Sequence, residues 1–285
     1  MTTKNYCRNQ VIRARSSFFL SLLFLSAPKR QAMFAIYAFC RAIDDVVDQP
    51  GVDPAEARLK LQEWRQEVNA IYDGSPSHPL AMELQQAVQR FSLAREPFLE
   101  LLDGMAMDLQ FSRYETLDDL AVYCHKVAVT VGQLSVQVFG LAGEEAQRFA
   151  HHLGMAFQLT NILRDLAEDG RLGRVYLPMT WLRAEGCSAE DLLQGRFSAG
   201  LHRVAERMAT LADRHYRQAW AVIAADHRQQ LLAAWIMAEM YHAYLEQLQE
   251  VGFDVFSHCV RISRWKKLAL LWQAWLRHRG FPPSW

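Results

Sequence analysis

This sequence predicts an all-α protein, folded as a single-domain helical bundle over residues 1–285. Three observations carry that prediction. Apolar residues recur at three-and-four spacing through nine segments, each more than two turns long. No segment keeps the apolar and polar alternation of a strand. The breaks are short, and no linker rich in Gly, Pro or Ser and no internal repeat divides the chain. Hydrophobic residues make up 51% and charged residues 22% of the 285, enough for one large core and unlike a disordered or collagenous chain. The length alone would also suit two small domains, but the missing linker favours one.

Taken in order, the N-terminus sets Lys4, Arg8, Arg13 and Arg15 ahead of the apolar run from Phe18 to Ala27. That order matches the start of a secretory signal. The basic stretch is long, contains Asn5, Asn9 and Gln10, and leads to no A-x-A pattern, so it reads as mature protein. Pro28-Lys29-Arg30 opens a helix. Periodicity predicts helices over 29–49, 55–72, 79–93, 97–111, 117–139, 144–168, 200–223, 227–250 and 258–278. Gln49-Pro50-Gly51, Asp73-Gly74-Ser75-Pro76, Glu96-Pro97, Gly140 to Gly143, Gly170 to Pro178 and Gly186-Cys187-Ser188 separate them. Thr116-Leu117-Asp118-Asp119 and Ser188-Ala189-Glu190 are helix starts. No apolar run reaches the roughly 18 residues of a membrane span. The five cysteines are scattered without zinc-ligand spacing, the usage of buried thiols in a reducing compartment.

Lys plus Arg (31) balance Asp plus Glu (31), so no overall field draws in nucleic acid. The charge is instead clustered. Asp44 and Asp48 are four apart and share a helix face, with Asp45 beside them and Arg41 and Tyr37 on successive turns below. Like charges on one turn need a compensating cation. Carboxylate oxygens with no His or Cys nearby suit Mg²⁺, which bridges protein carboxylates to substrate phosphates. In isolation such a cluster reads as a solvated acidic helix end. A second set argues otherwise: Gln158, Asn161, Asp165 and Asp169 form a polar stripe on an apolar helix, which faces solvent or a polar cavity. Arg171, Arg174 and Tyr176 follow directly, and arginines supply the forked donors that diphosphate oxygens accept. Two acidic helices 117 positions apart (165 minus 48) imply a central cavity with metal sites on opposing walls. Loss of diphosphate from an allylic substrate needs no protein nucleophile: metal stabilises the leaving group, and aromatic walls shelter the carbocation.

These stretches resemble the squalene and phytoene synthase family of head-to-head (1'-2-3) prenyl synthases. The matching residues are YAFCRAIDDVVD at 37–48, YCHKVAVTVG at 123–132, QLTNILRDLAEDGRLGRVYLP at 158–178 and SSF at 16–18. Within the family, the run from Ser16 to Asp48 looks most like the bacterial presqualene diphosphate synthases of hopanoid biosynthesis, which makes it the first active-site helix region. The resemblance implies an isoprenoid-synthase bundle around a central cavity. It implies Asp44, Asp45, Asp48, Asp165 and Asp169 as Mg²⁺ ligands, and Arg41, Arg164 and Arg174 as diphosphate donors. Ser17, Phe18, Tyr37, Gln158, Asn161, Tyr176 and Tyr241 would contact substrate, and Tyr123 would handle the proton during cyclopropane formation. The implied reaction joins two molecules of farnesyl diphosphate. One ionises, its C1 is attacked by the C2=C3 bond of the other, and proton loss closes the cyclopropane of presqualene diphosphate. No Gly-rich dinucleotide fingerprint is present, nor is the C-terminal extension of eukaryotic squalene synthases, so the reaction is expected to stop at the diphosphate without NADPH. A phytoene or dehydrosqualene synthase, and a catalytically silent relative acting as an assembly factor, remain as alternatives.

Three further features bear on partners. After Asp254 the tail is basic, with Arg261, Arg264, Lys266, Lys267, Arg277 and Arg279 among Trp265, Trp272, Trp275 and Trp285. Such a helix either lies on an anionic bilayer or packs as a terminal helix with a solvated basic edge. The expected location is cytoplasmic, peripheral to the inner face of the membrane. His151-His152 has no ligand partner nearby in sequence and reads as structural. Asp103 and Asp108 are semi-buried acids, the second of which could face the cavity.

Overall fold

In the computed structural model, residues 6–13, 17–48 and 51–277 are described. The first helices are α1 (Tyr6–Arg13), α2 (Ser17–Leu22), α3 (Ala27–Val47), α4 (Pro54–Asp73), α5 (Pro79–Phe91) and α6 (Glu96–Asp108). Then α7 (Leu117–Cys124) passes through a π turn (His125–Val129) into α8 (Thr130–Phe139), followed by the long α9 (Gly143–Arg171). Short α10 (Met179–Ala184) and α11 (Ala189–Leu193) precede α12 (Ala199–Ala221), α13 (Leu232–Glu250) and α14 (Arg264–Arg277). Among the described residues the sole β feature is an isolated parallel bridge between Arg113 and Val175.

The helix starts follow local chemistry. Asp53 caps α4 by accepting from Ala55 N at 2.9 Å, Pro occupies the first turn of α3, α4, α5 and α6, and Thr116 with Asp119 closes a capping box on α7. The segment expected as one helix over 117–139 carries the π turn in its middle, where one extra residue shifts the helix face. The last helix was expected from 258 but begins at Arg264; Ser263 Oγ accepts from Lys266 N at 3.2 Å and so acts as its cap.

The apolar faces of the helices meet in one core that runs from Cys7 on α1 to Ala274 on α14. Helix α9 is its axis: α12 and α13 pack along one side, and α8 and the π turn along the other. Close approach there requires Gly154, because a Cβ at this position would sit 2.8 Å from Val129 Cα. Together, α3 and α9 flank the cavity that holds the charged residues.

Candidate active site

The cavity has a volume of about 880 Å³. Its wall on α3 runs Met33, Ile36, Tyr37, Cys40, Arg41, Asp44 and Asp48, and on α9 it runs from Phe149 and Leu153 through Gln158 and Asn161 to Asp165 and Asp169. Both stripes follow the three-and-four spacing of a helix face. Both also change from apolar to charged toward the C-terminal end of their helix. Phe139, Phe149, Ala234 and Met237 line the apolar part, and Phe157 packs against Tyr241 with ring centroids 4.5 Å apart.

The acids therefore sit where a helix carries partial negative charge, so the helix ends oppose them. Arg174 answers part of this. The backbone after α9 docks on the segment before α7, with Val175 N donating to Ser112 O at 2.8 Å and Met179 N to Tyr114 O at 2.9 Å. Held there, Arg174 donates to Asp48 Oδ1 at 2.7 Å and to the backbone carbonyl of Val47 at 2.8 Å. One guanidinium thus ties the second motif to the last turn of α3 and satisfies a terminal carbonyl. Arg164 donates two bonds to Asp165, at 2.7 and 2.6 Å, and lies 5.4 Å from the centre of the Tyr244 ring. Arg41 pairs with Asp45 at 2.7 Å.

Negative charge is still in excess. Burial, with Asp48 adding to it, pushes the Asp44 carboxyl up to about 7; burial and Asp165 push Asp169 up to about 8. Asn161 lies on the same wall, and among the described residues no donor reaches its buried Oδ1, while its Nδ2 donates to Gln158 at 3.3 Å. An all-oxygen donor set, an oxygen without a donor and repelling carboxylates fit a hard divalent cation such as Mg²⁺. Asp44, Asp48, Asp165, Asp169 and Asn161, which line the same cavity, could hold it.

Of the residues singled out from sequence, Tyr37, Arg41, Asp44, Asp48, Tyr123, Gln158, Asn161, Arg164, Asp165, Asp169, Arg174, Tyr176 and Tyr241 all line this one cavity. Asp45 is not part of its wall; one residue on from Asp44, it points outward and is more than half exposed. The side chains of Ser17 and Phe18 lie outside the described residues.

Asp108 emerges as a member of the site that sequence left uncertain. Its carboxylate accepts from the hydroxyl of Tyr123 at 2.9 Å and from that of Tyr176 at 2.7 Å. Burial pushes this carboxyl up to about 6, even against the pull of Arg174 and the two hydroxyls. Tyr123 and Tyr176 stack with centroids 5.1 Å apart, and Tyr114 stacks on Tyr176 at 5.8 Å. Asp103 has a separate role, pairing with Arg65 and, at 3.6 Å, with Lys126.

This geometry agrees with comparisons to known proteins. The family model described as squalene/phytoene synthase matches residues 11–266. Presqualene diphosphate synthase of Rhodopseudomonas palustris is 37% identical over 267 residues, covering 93% of this chain and 95% of that protein. Phytoene synthase of Arthrospira platensis is 33% identical over 286 residues, covering 96% and 92%. A crystal structure of a dehydrosqualene synthase with bound ligand superposes with a TM-score of 0.86 at 28% identity, covering 98% of this chain and 97% of that one. An all-α cavity with two acidic helix ends and this extent of similarity have one reading: the chain belongs to the squalene/phytoene synthase family.

Proposed function

We propose that the protein is a prenyltransferase that condenses two molecules of farnesyl diphosphate head to head into presqualene diphosphate, releasing one diphosphate. The observation that carries this reading is the convergence of two acidic helix ends, joined by the 2.7 Å Arg174–Asp48 pair, on one cavity of about 880 Å³ that is also lined by apolar side chains such as Phe139, Phe149, Ala234 and Met237. That volume lies toward the upper end of ligand pockets, about 300–1,000 Å³, as two prenyl chains require. The carboxylates of Asp44, Asp48, Asp165 and Asp169 would hold Mg²⁺, which when bound would supply positive charge to the departing diphosphate.

The chain's own residues have distinct tasks. Arg41, Arg164 and Arg174 stand beside the acids and offer donors to diphosphate oxygens. Tyr37, Phe157 and Tyr241 present ring faces to the allylic cation and keep water from it. Tyr123 faces the cavity with Asp108 behind it, so the proton that C1 of the ionised unit loses, as the tertiary cation at C3 of its partner closes the cyclopropane, passes to the Tyr123 oxygen while the hydroxyl's own proton moves to Asp108. With its carboxyl held near 6, Asp108 is mostly ionised at neutral pH yet a better proton acceptor than an ordinary carboxylate.

The similarity to relatives that make presqualene diphosphate supports the C15 substrate. The basic tail supports contact with the anionic face of a membrane: Trp265, Leu268 and Trp272 are exposed at three-and-four spacing on α14, and none of the described helices is long and apolar enough to cross a bilayer. Incubating the purified protein with Mg²⁺ and either farnesyl or geranylgeranyl diphosphate, without NADPH, tests the reaction. Mass spectrometry should find a C30 diphosphate from the farnesyl substrate. A C40 hydrocarbon from geranylgeranyl diphosphate alone would assign the protein to phytoene synthesis instead.

A further inference from the structure

Sequence alone leaves His151 and His152 without partners. The fold supplies one. Helix α12 lies along α9 and brings His215 against the pair, so that one ring nitrogen of each of the three histidines lies within 4.8 Å of the others. His152 Nδ1 and His215 Nδ1 face each other at 3.1 Å. The ring centroids form a nearly equilateral triangle with sides of 5.2, 5.3 and 5.9 Å.

A zinc ion about 2.1 Å from each ligating nitrogen sets tetrahedral ligands about 3.4 Å apart, and places their ring centres roughly 5 Å apart. The observed triangle is already near that size, and small χ rotations of the rings complete it. His125 is the fourth imidazole in the neighbourhood, 6.5 Å from His151, but it is directed to Glu100 at 3.4 Å. The outer side is open at exposed His151, leaving room for a water as the fourth ligand.

We propose that His151, His152 and His215 form a zinc site that staples α9 to α12. The surroundings favour a borderline metal over a hard one. Burial disfavours protonation of all three, with His125 adding to it at His151, His151 and Arg148 at His152, and His152, His151 and Arg214 at His215, so the imidazoles offer neutral lone pairs. Nitrogen donors of this kind select Zn²⁺ over Mg²⁺. The site is separate from the aspartates. His152 precedes Asp165 by 13 positions on the same helix (165 minus 152), which is about 20 Å of rise. Its effect is therefore on how firmly α12 is held against α9, and through them on the stability of the whole bundle.

The experiment uses the full-length protein stripped by chelator, with excess Mg²⁺ present and Asp165→Asn as the background, so that the aspartates do not compete for the probe metal. Titration with Co²⁺ should give one equivalent of bound ion with the visible absorption of a four-coordinate centre. Zn²⁺ should displace it and raise the melting temperature. His152→Gln with His215→Gln should weaken Zn²⁺ binding by on the order of 100-fold or more. Exposed His151→Gln, which has little packing to lose, should weaken it as well while helicity stays unchanged. Absence of stoichiometric Co²⁺ binding, or binding that both the double variant and His151→Gln retain, would overturn the proposal.

Discussion

Arg174 shows how much one side chain carries here. Its two terminal nitrogens serve different acceptors, Asp48 Oδ1 and the carbonyl of Val47, and only a planar fork reaches both. Arg174→Lys keeps the charge but makes one of these bonds at most. It should lower kcat by about 10–100-fold while circular dichroism stays native, and full activity would show that the bridge does not organise the site. Asp48→Asn and Asp165→Asn each remove a charge from the cation-binding set, and steady-state assays should show a loss of at least about 100-fold at unchanged helicity. Tyr123 and Asp108 belong to a later step. Tyr123→Phe and Asp108→Asn should release diphosphate from farnesyl substrate but form the C30 product about 100-fold more slowly. Equal loss of both readouts would place the pair in ionisation instead. Asp44, Asp48, Asp165 and Asp169 were legible in sequence because four-residue spacing fixes a shared face. Asp108 was legible only as an acid that could face the cavity: its partners Tyr123 and Tyr176 lie 15 and 68 positions away, and no local pattern joins them.

At the scale of elements, periodicity located α3, α9, α12 and α13 because each turns one apolar stripe to the core. It could not find the π turn at His125–Val129. One inserted residue leaves the apolar spacing almost unchanged while altering which residues face the cavity. Helices α10 and α11, of 6 and 5 residues, are too short for a periodic signal, although the start signal at Ser188 was visible. The π turn is held on its inner side by Gly154, whose missing Cβ lets α9 approach Val129 backbone atoms. Backbone cannot swing aside as a side chain can. Gly154→Ala gains helix propensity yet should destabilise by about 1–3 kcal/mol through overpacking, measured by denaturant unfolding. An unchanged or raised midpoint would show that α9 shifts at no cost.

The whole molecule stores unfavourable charge, and its stability should therefore depend on pH and on bound cation. In the fold the carboxyls of Asp44, Asp108 and Asp169 sit at about 7, 6 and 8, against an ordinary 3.8. A raised carboxyl binds its proton more tightly folded than unfolded, so each group costs stability as pH climbs from about 4 through its folded value. The clustered histidines act in the opposite sense. His215 is depressed to about 4, and His151 and His152 lie below the ordinary 6.5, so they cost stability as pH falls below 6.5. Between pH 4 and 6.5 the two sets oppose each other. Above 6.5 the contribution of those histidines fades as the unfolded imidazoles lose their protons, while Asp44 and Asp169 continue to cost stability, joined by His227, which its hydrogen bond to Glu145 holds above the ordinary value. With EDTA present, the melting temperature should fall between pH 6.5 and 8. Mg²⁺ with inorganic diphosphate should flatten that fall, because bound cation favours the ionised carboxylates in the fold. Asp169→Asn should flatten it without metal, since the variant has no proton to lose at that position. A melting temperature that rises over the same window in EDTA would mean that these carboxylates are compensated within the chain itself.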